Sequence, residues 1–272
     1  MTRNADRQAF LVVTNNISSH VLKLCRRLQK ATAGSGDVIL LYHFEHGQPV
    51  IQVKGLTVEI FTNDILTSLN YKPIQNQLVP GSNHFPVLDF FLHHPEYKYY
   101  WCIEDDVTFS GNWKDFFSAV SPHLPYDFIS SHIRNHENIP GWYWWDTMKI
   151  PGEKIDKNGL LHSFNPIYRI SKSALEYIDH CLRNGYSGHH EVLLPTLLNK
   201  QGFTIADLSN EDNHLTPWFS FCTLRTMRWK PVFLFTGIKK NTLYHPVKAK
   251  ISFAQLLIYL ERSIKNKKKY LP

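Results

Sequence analysis

Three adjacent carboxylates, Glu104, Asp105 and Asp106, follow directly on the apolar run YYWCI. Side by side they repel one another unless a cation compensates. Their hard oxygens suit Mg²⁺ or Mn²⁺, ions that usually keep phosphate oxygens in their shell. If YYWCI is a strand of a parallel sheet, the triplet sits at the carboxyl edge, where open α/β sheets bind ligands. The reading is then a metal–diphosphate site. A solvated acidic turn is the plain alternative, weakened by the direct hand-over from buried residues to the triplet.

A second cluster lies at 185–191, Gly-Tyr-Ser-Gly-His-His-Glu, ahead of the apolar stretch VLLPTLL. It places Glu191 in the first turn of a helix, where exposed N–H groups stabilise an anion. A carboxylate held there is a competent general base for a hydroxyl within reach, and His190 can orient it or touch the substrate. A glutamate serving only the helix fits the local pattern equally well. Zinc bound by His189 and His190 is weaker, because adjacent side chains at a helix start diverge. Late in the chain, residues 241–248 (NTLYHPVK) form a compact polar–aromatic stretch, with Pro246 disfavouring helix at His245. Finally, residues 141–146 (GWYWWD) crowd four rings into four consecutive positions, a costly exposure for a loop. Trp142, Trp144 and Trp145, with Asp146, can form a platform for the apolar faces and hydroxyls of sugars. The alternative is that at least one of these indoles plugs the core.

The elements that must position these groups are legible in outline. Residues 10–14 (FLVVT), 37–42 (DVILLY), 58–61 (VEIF) and 99–103 (YYWCI) are short apolar runs suited to buried strands. Residues 20–31 carry Val21, Leu24, Cys25 and Leu28 at helical spacing, with Ser18 or Ser19 as N-cap and Gly34 and Gly36 beyond the end. A Phe/Leu-rich helix is expected at 85–93. The second half predicts strands at 127–131, 167–170 and 203–206, helices at 172–182 and 191–200, and a loop through the tryptophans to Gly159. Strands alternating with helices argue for an α/β protein with a mostly parallel central sheet flanked by helices, in a single domain.

Composition narrows the function. Of 272 residues 43% are apolar and 19% charged, enough for a real core and too little charge for disorder. The formal charge of +7 is concentrated at one end. The last fifty residues hold 12 Lys and Arg against one acid, which leaves 18 − 22 = −4 for residues 1–222. A broad nucleic-acid-coating face is disfavoured. The tail at 251–265 is amphipathic, with Phe253, Leu256, Leu257, Leu260 and Ile264 on one face and four lysines following closely. That is a plausible contact for an anionic membrane or, equally, a solvated lysine tail. Four scattered cysteines and the lack of an apolar leader suit a cytoplasmic protein at or near the inner membrane face.

The stretch 101–117, WCIEDDVTFSGNWKDFF, resembles the strand-plus-acidic-motif of GT-A glycosyltransferases. It is especially similar to the Glu-Asp-Asp form of the N-acetylglucosaminyltransferases that branch N-glycans. The order at 185–206 (helix start, apolar helix, Gly, strand) resembles the site of the catalytic base in inverting members. The resemblance implies a GT-A, Rossmann-like fold over 1–250, with a nucleotide-sugar half at 10–110 and an acceptor half at 111–250. Residues 251–272 would be a basic, peripheral end.

It further implies a nucleotide-sugar donor, a UDP-sugar, and Mn²⁺ or Mg²⁺ held by Asp106, Glu104 and His245. Asp105 and Lys248 would contact the donor, as would Thr14 and Asn15 at the end of the first strand. Gly81, Ser82 and Asn83 would approach the diphosphate through backbone N–H groups. Glu191 with His190 would be catalytic, and Trp142, Trp144, Trp145, Asp146 and Arg169 would meet a glycan or lipid-linked glycan acceptor. Two rival functions are a non-catalytic carbohydrate-binding protein using the tryptophan loop and a metal-dependent phosphoesterase built on the acidic triplet.

Overall fold

The computed structural model describes residues 7–45, 52–120, 125–209, 220–230, 232–234, 236–248 and 257. The first unit is β1 (Gln8–Thr14), α1 (Ser19–Ala31) and β2 (Gly36–His43), followed by β3 (Thr57–Phe61) and the short α2 (Ile65–Ser68). Ser18 caps α1 by accepting from the Val21 N–H, and Val21, Leu24, Cys25 and Leu28 form its buried stripe. Then come α3 (Phe85–His93), with Pro86 in its first turn, and β4 (Tyr99–Glu104). The β5 pair of residues (Thr108–Phe109) leads into α4 (Trp113–Ala119), capped by the Asn112 side chain.

The second half contributes β6 (Phe128–Asn135), β7 (Leu161–Ser171), α5 (Lys172–Arg183), α6 (His190–Gln201), β8 (Ile205–Asp207) and β9 (Leu243–Tyr244). Ser171 caps α5. Gly202, at φ 86°, ends α6 in the left-handed conformation that glycine adopts without cost.

Seven strands form one sheet in the order β3-β2-β1-β4-β7-β6-β8. Only β7 runs against its neighbours, being antiparallel to both β4 and β6. The expected mostly parallel central sheet flanked by helices is therefore present, and the β4–β7 pairing joins the two halves of the chain in it. One face packs on α3, α5 and α6 through residues such as Phe85, Leu88, Ile178 and Leu193. The other packs on α1 and α4 through Leu28, Trp101, Trp113 and Phe116. Strands covered on both faces explain the continuous apolar runs. Among the described residues, no helix is long and apolar enough to cross a membrane.

Two strands are longer than the sequence predicts. Residues 161–166, ahead of the strand expected at 167–170, are the first half of β7, and β6 continues to Asn135. Pro166 lacks an N–H and would break a regular central ladder. It is accommodated because the β6–β7 register shifts between Ile129 and Ser131 and again before Arg134. The left-handed His132 (φ 52°) lies in this irregular stretch. Asp207 holds it by accepting from the N–H groups of His132 and Ile133 at 3.0 and 2.8 Å. The amphipathic tail at 251–265 lies, apart from Leu257, outside the described residues.

Candidate functional site

The ends of β1 and β4 lie side by side, Val13 pairing with Glu104. There the Thr14 hydroxyl donates to Asp105 Oδ2 at 2.5 Å. Burial raises the Asp105 carboxyl above its ordinary range, an effect the Thr14 hydrogen bond only partly offsets. Thr14, Asn15, Asn83, Asp105, Asp106 and His190 share the lining of a cavity of about 240 Å³ at this edge. A larger cleft of about 440 Å³, lined by Gln29, Asp37 and Thr57 among others, holds none of the predicted site residues.

The β5–β9 pairing, Thr108 with Tyr244 and Phe109 with Leu243, folds the late chain back onto the triplet. The Val247 N–H donates to the Asp106 carbonyl at 2.8 Å. His245 Nε2 consequently stands 3.2 Å from Glu104 Oε2 and 3.2 Å from Asp106 Oδ1, while its Nδ1 meets the Arg228 carbonyl at 2.9 Å. Lys248 Nζ reaches Asp106 Oδ2 at 2.5 Å. Burial alone would raise the Asp106 pKa, but His245 and Lys248 outweigh it and hold the carboxyl down at about 2. Burial would likewise lower His245, but Asp106 and Glu104 push it up to about 10.

Glu104, Asp106 and His245 bring ligand atoms within 4.8 Å of one another. Asp106 Oδ1 is buried and has an ion pair there but no aligned hydrogen bond. Two carboxylates and an imidazole form a donor set that can hold a divalent cation, and the Arg228 carbonyl directs Nε2 toward it.

Glu191 lies in the first turn of α6 at the same edge. His189 caps that helix, its Nδ1 accepting from the Glu191 N–H at 3.2 Å. The Glu191 carboxyl faces the Asn165 N–H at 3.4 Å. His189 Nδ1 and His162 Nε2 stand 3.8 and 3.9 Å from it. Burial pushes its pKa up to about 8, offset in part by the Asn165 N–H. Glu104 raises it further and His245 lowers it, so the glutamate lies within electrostatic reach of the acidic cluster. Burial lowers His189 and His162 to about 3, leaving both neutral beside it. His190 does not orient Glu191; its Nδ1 lies 3.4 Å from the Asn165 amide nitrogen, and it lines the cavity instead.

The aromatic loop packs on the two histidines beside Glu191. Trp144 stacks on His189 with centroids 4.9 Å apart, and Trp142 meets His162 edge-on at 4.6 Å. Both indoles are half-buried and Tyr143 is exposed. Trp145 is instead a core residue, 2% exposed, donating from Nε1 to the Ile139 carbonyl at 3.0 Å. Asp146 points to solvent and pairs with Lys157 at 2.6 Å.

Other predicted contacts need correction. Arg169 is fully buried near the opposite end of β4, across from Trp101. Its guanidinium donates to the carbonyls of Val120 and Tyr126 at 2.8 and 2.9 Å and lies 4.2 Å over the Tyr99 ring. It braces the sheet and cannot meet an acceptor. Gly81 and Ser82 do not offer free N–H groups, since Gly81 donates to Asn83 Oδ1 and Ser82 to the Leu78 carbonyl. Their turn docks on α6, the Gly81 carbonyl accepting from the His190 N–H at 2.9 Å. Gly81 has φ 108°, and a Cβ there would lie 2.1 Å from Ile74. The residues that the sequence did not point to are His162 and Asn165, both on the half of β7 ahead of the expected strand, and His84, whose buried ring nitrogens have no hydrogen-bond partner among the described residues. No local motif marks any of them.

A family model described as "Protein of unknown function (DUF3405)" matches residues 54–123, the stretch that contains β3, α3, β4, the triplet and α4. No curated protein matches the sequence. Among solved structures, 112 chains match. One of them is a "crystal structure of a glycosyltransferase involved in the glycosylation of the major capsid of PBCV-1". It is 11% identical with a TM-score of 0.32, and the match covers 64% of this chain and 63% of that one. The chain thus spans less than two thirds of that structure's length.

Proposed function

We propose that this protein is a metal-dependent, inverting glycosyltransferase that uses a nucleotide-sugar donor, a UDP-sugar, and a hydroxyl acceptor on a glycan. The observation that carries the reading is a juxtaposition at one sheet edge. A carboxylate–histidine cluster fit for a divalent cation stands within electrostatic reach of Glu191, a buried carboxyl with a pKa of about 8. The name of the viral structure points the same way but adds no weight of its own.

Glu104, Asp106 and His245 would hold Mn²⁺ or Mg²⁺, which supplies charge compensation for a diphosphate leaving group. Thr14 and Asp105 form the wall that meets the nucleoside, with Asn15 and Asn83 beside them. Lys248, freed from Asp106 once that carboxylate is otherwise engaged, turns its ammonium to phosphate oxygen. Glu191 takes the proton from the acceptor hydroxyl as that oxygen attacks the anomeric carbon opposite the leaving diphosphate. A base with a pKa near neutrality is well matched to this transfer. Trp142 and Trp144 offer ring faces for the acceptor sugar beside the base.

The test is release of nucleoside diphosphate from a panel of nucleotide sugars, with Mn²⁺ or with chelator. Metal-dependent release from one donor, accelerated by a glycan acceptor, is the expected result. Phosphate release from simple esters, with no dependence on nucleotide, would replace this reading with phosphoester hydrolysis.

A further inference from the structure

The loop that carries the backbone partner of His245 exposes several large apolar side chains among its described residues. Between 224 and 238 four large apolar side chains are exposed: Leu224 at 43%, Trp229 at 60%, Leu234 at 43% and Ile238 at 95%. Arg225, Lys239 and Lys240 are exposed among them, and Lys230 lies 4.3 Å over the Trp229 ring. No Asp or Glu occurs anywhere from residue 213 to residue 260. Apolar tips interspersed with cations and free of acids are what an anionic bilayer surface selects. Indole and aliphatic groups enter the headgroup region while lysine and arginine stay at its charged boundary. A nucleic-acid surface has equal use for the cations but none for an almost fully exposed isoleucine beside an exposed leucine.

The described residues of this loop are also held in shape. The Phe233 N–H donates to the Pro246 carbonyl at 2.8 Å and the Lys248 N–H to the Phe233 carbonyl at 3.1 Å. The His245 N–H bonds the Thr226 carbonyl at 2.9 Å. The Lys239 N–H donates to the Tyr244 hydroxyl at 3.0 Å, and the Ser110 hydroxyl donates to the Lys239 carbonyl at 2.7 Å. The Arg228 guanidinium lies 4.1 Å over the Phe233 ring. A preorganised loop loses little conformational freedom on docking.

We propose that the exposed side chains of residues 224–230, 232–234 and 236–240 form a membrane-docking surface, and that its partner is the headgroup region of an anionic bilayer. In sequence the surface precedes the basic tail at 251–272. The same loop supplies the Arg228 carbonyl to His245, so docking holds the metal-cluster edge of the sheet next to the bilayer. On the glycosyltransferase reading, and resting on it, the acceptor is then a glycan carried by a membrane lipid.

The test is co-sedimentation of the full-length chain with phosphatidylcholine vesicles and with vesicles that also contain phosphatidylglycerol, without metal or nucleotide. Binding is expected to the anionic vesicles only. It should weaken at least about tenfold in Trp229→Ser/Ile238→Asp and, separately, in Lys239→Glu/Lys240→Glu. Because these side chains are exposed, the melting temperature of either variant should match that of the parent protein. The proposal is overturned if both variants bind as the parent does, which would assign binding to the tail. It is also overturned if the parent binds neutral vesicles equally well, binds neither kind, or prefers duplex DNA at the same salt. Nucleoside diphosphate binding, measured on the same variants, should be unchanged, so failure of the docking surface and failure of the transferase reading are told apart.

Discussion

The carbonyl oxygen of Arg228 lies 2.9 Å from Nδ1 of His245. This bond makes Nδ1 the protonated nitrogen and aims Nε2 at Glu104 and Asp106, 3.2 Å from an oxygen of each. A cation bound there displaces the Nε2 proton, so binding releases a proton from an imidazole whose pKa stands at about 10 in the metal-free protein.

Metal affinity should therefore rise steeply with pH. Titrations with Mn²⁺ between pH 6 and 8 are expected to tighten by up to about tenfold per pH unit. His245→Ala should weaken Mn²⁺ binding by about tenfold or more and flatten that dependence. A pH-independent affinity in the parent protein would remove His245 from the ligand set.

Glu191 predicts a separate signature in turnover. Glu191→Gln should lower kcat about a hundredfold or more while donor binding survives. In the parent protein the rate should climb with pH along a limb whose pKa is about 8 or lower, since burial raises this carboxyl to about 8 and a nearby cation lowers it. Measuring kcat against pH in both proteins checks this, and the limb should be missing in the variant.

The same carboxyl affects stability with a definite sign. Its folded pKa of about 8 exceeds the ordinary value of 4.5, so the folded state binds more protons between those limits. Its stabilising contribution is full below pH 4.5 and is lost as pH rises through about 8. Glu191→Gln, which mimics the protonated form, should be more stable than the parent at pH 9 by on the order of 2 kcal/mol. At pH 5 the two should denature alike in urea.

Arg169 and Trp144 should behave oppositely. Arg169→Met leaves the Val120 and Tyr126 carbonyls without their donors and should cost about 2–4 kcal/mol of stability. Donor binding by the folded protein should be unchanged. Trp144→Ala should leave donor KM unchanged and raise acceptor KM several-fold. Melting curves and a donor–acceptor KM comparison separate the two.

These contrasts reflect what was legible in the chain. The strands β1, β2 and β4 were readable because burial on both faces writes itself as unbroken apolar runs, and α3 ends where the spacing puts it. The triplet and Glu191 were readable because strand ends and helix starts leave local signatures. The first half of β7 was not. Residues 161–165 (LHSFN) carry no regular apolar alternation, and Pro166 interrupts the pattern, so His162 and Asn165 fell outside the strand expected at 167–170. Arg169 misled because its charge suggests a surface role, whereas two carbonyls and the Tyr99 ring 4.2 Å away hold it in the interior. The fold-back that brings His245 to Glu104 spans 141 residues, a distance no local pattern encodes.

Calorimetric titration of the full-length protein with UDP, in Mn²⁺ and then in chelator, tests the central claim most directly. Saturable binding is expected in Mn²⁺, lost with chelator and weakened at least about tenfold in Asp106→Asn. Binding of equal strength with and without the metal, or no binding of any nucleoside diphosphate in its presence, would contradict it.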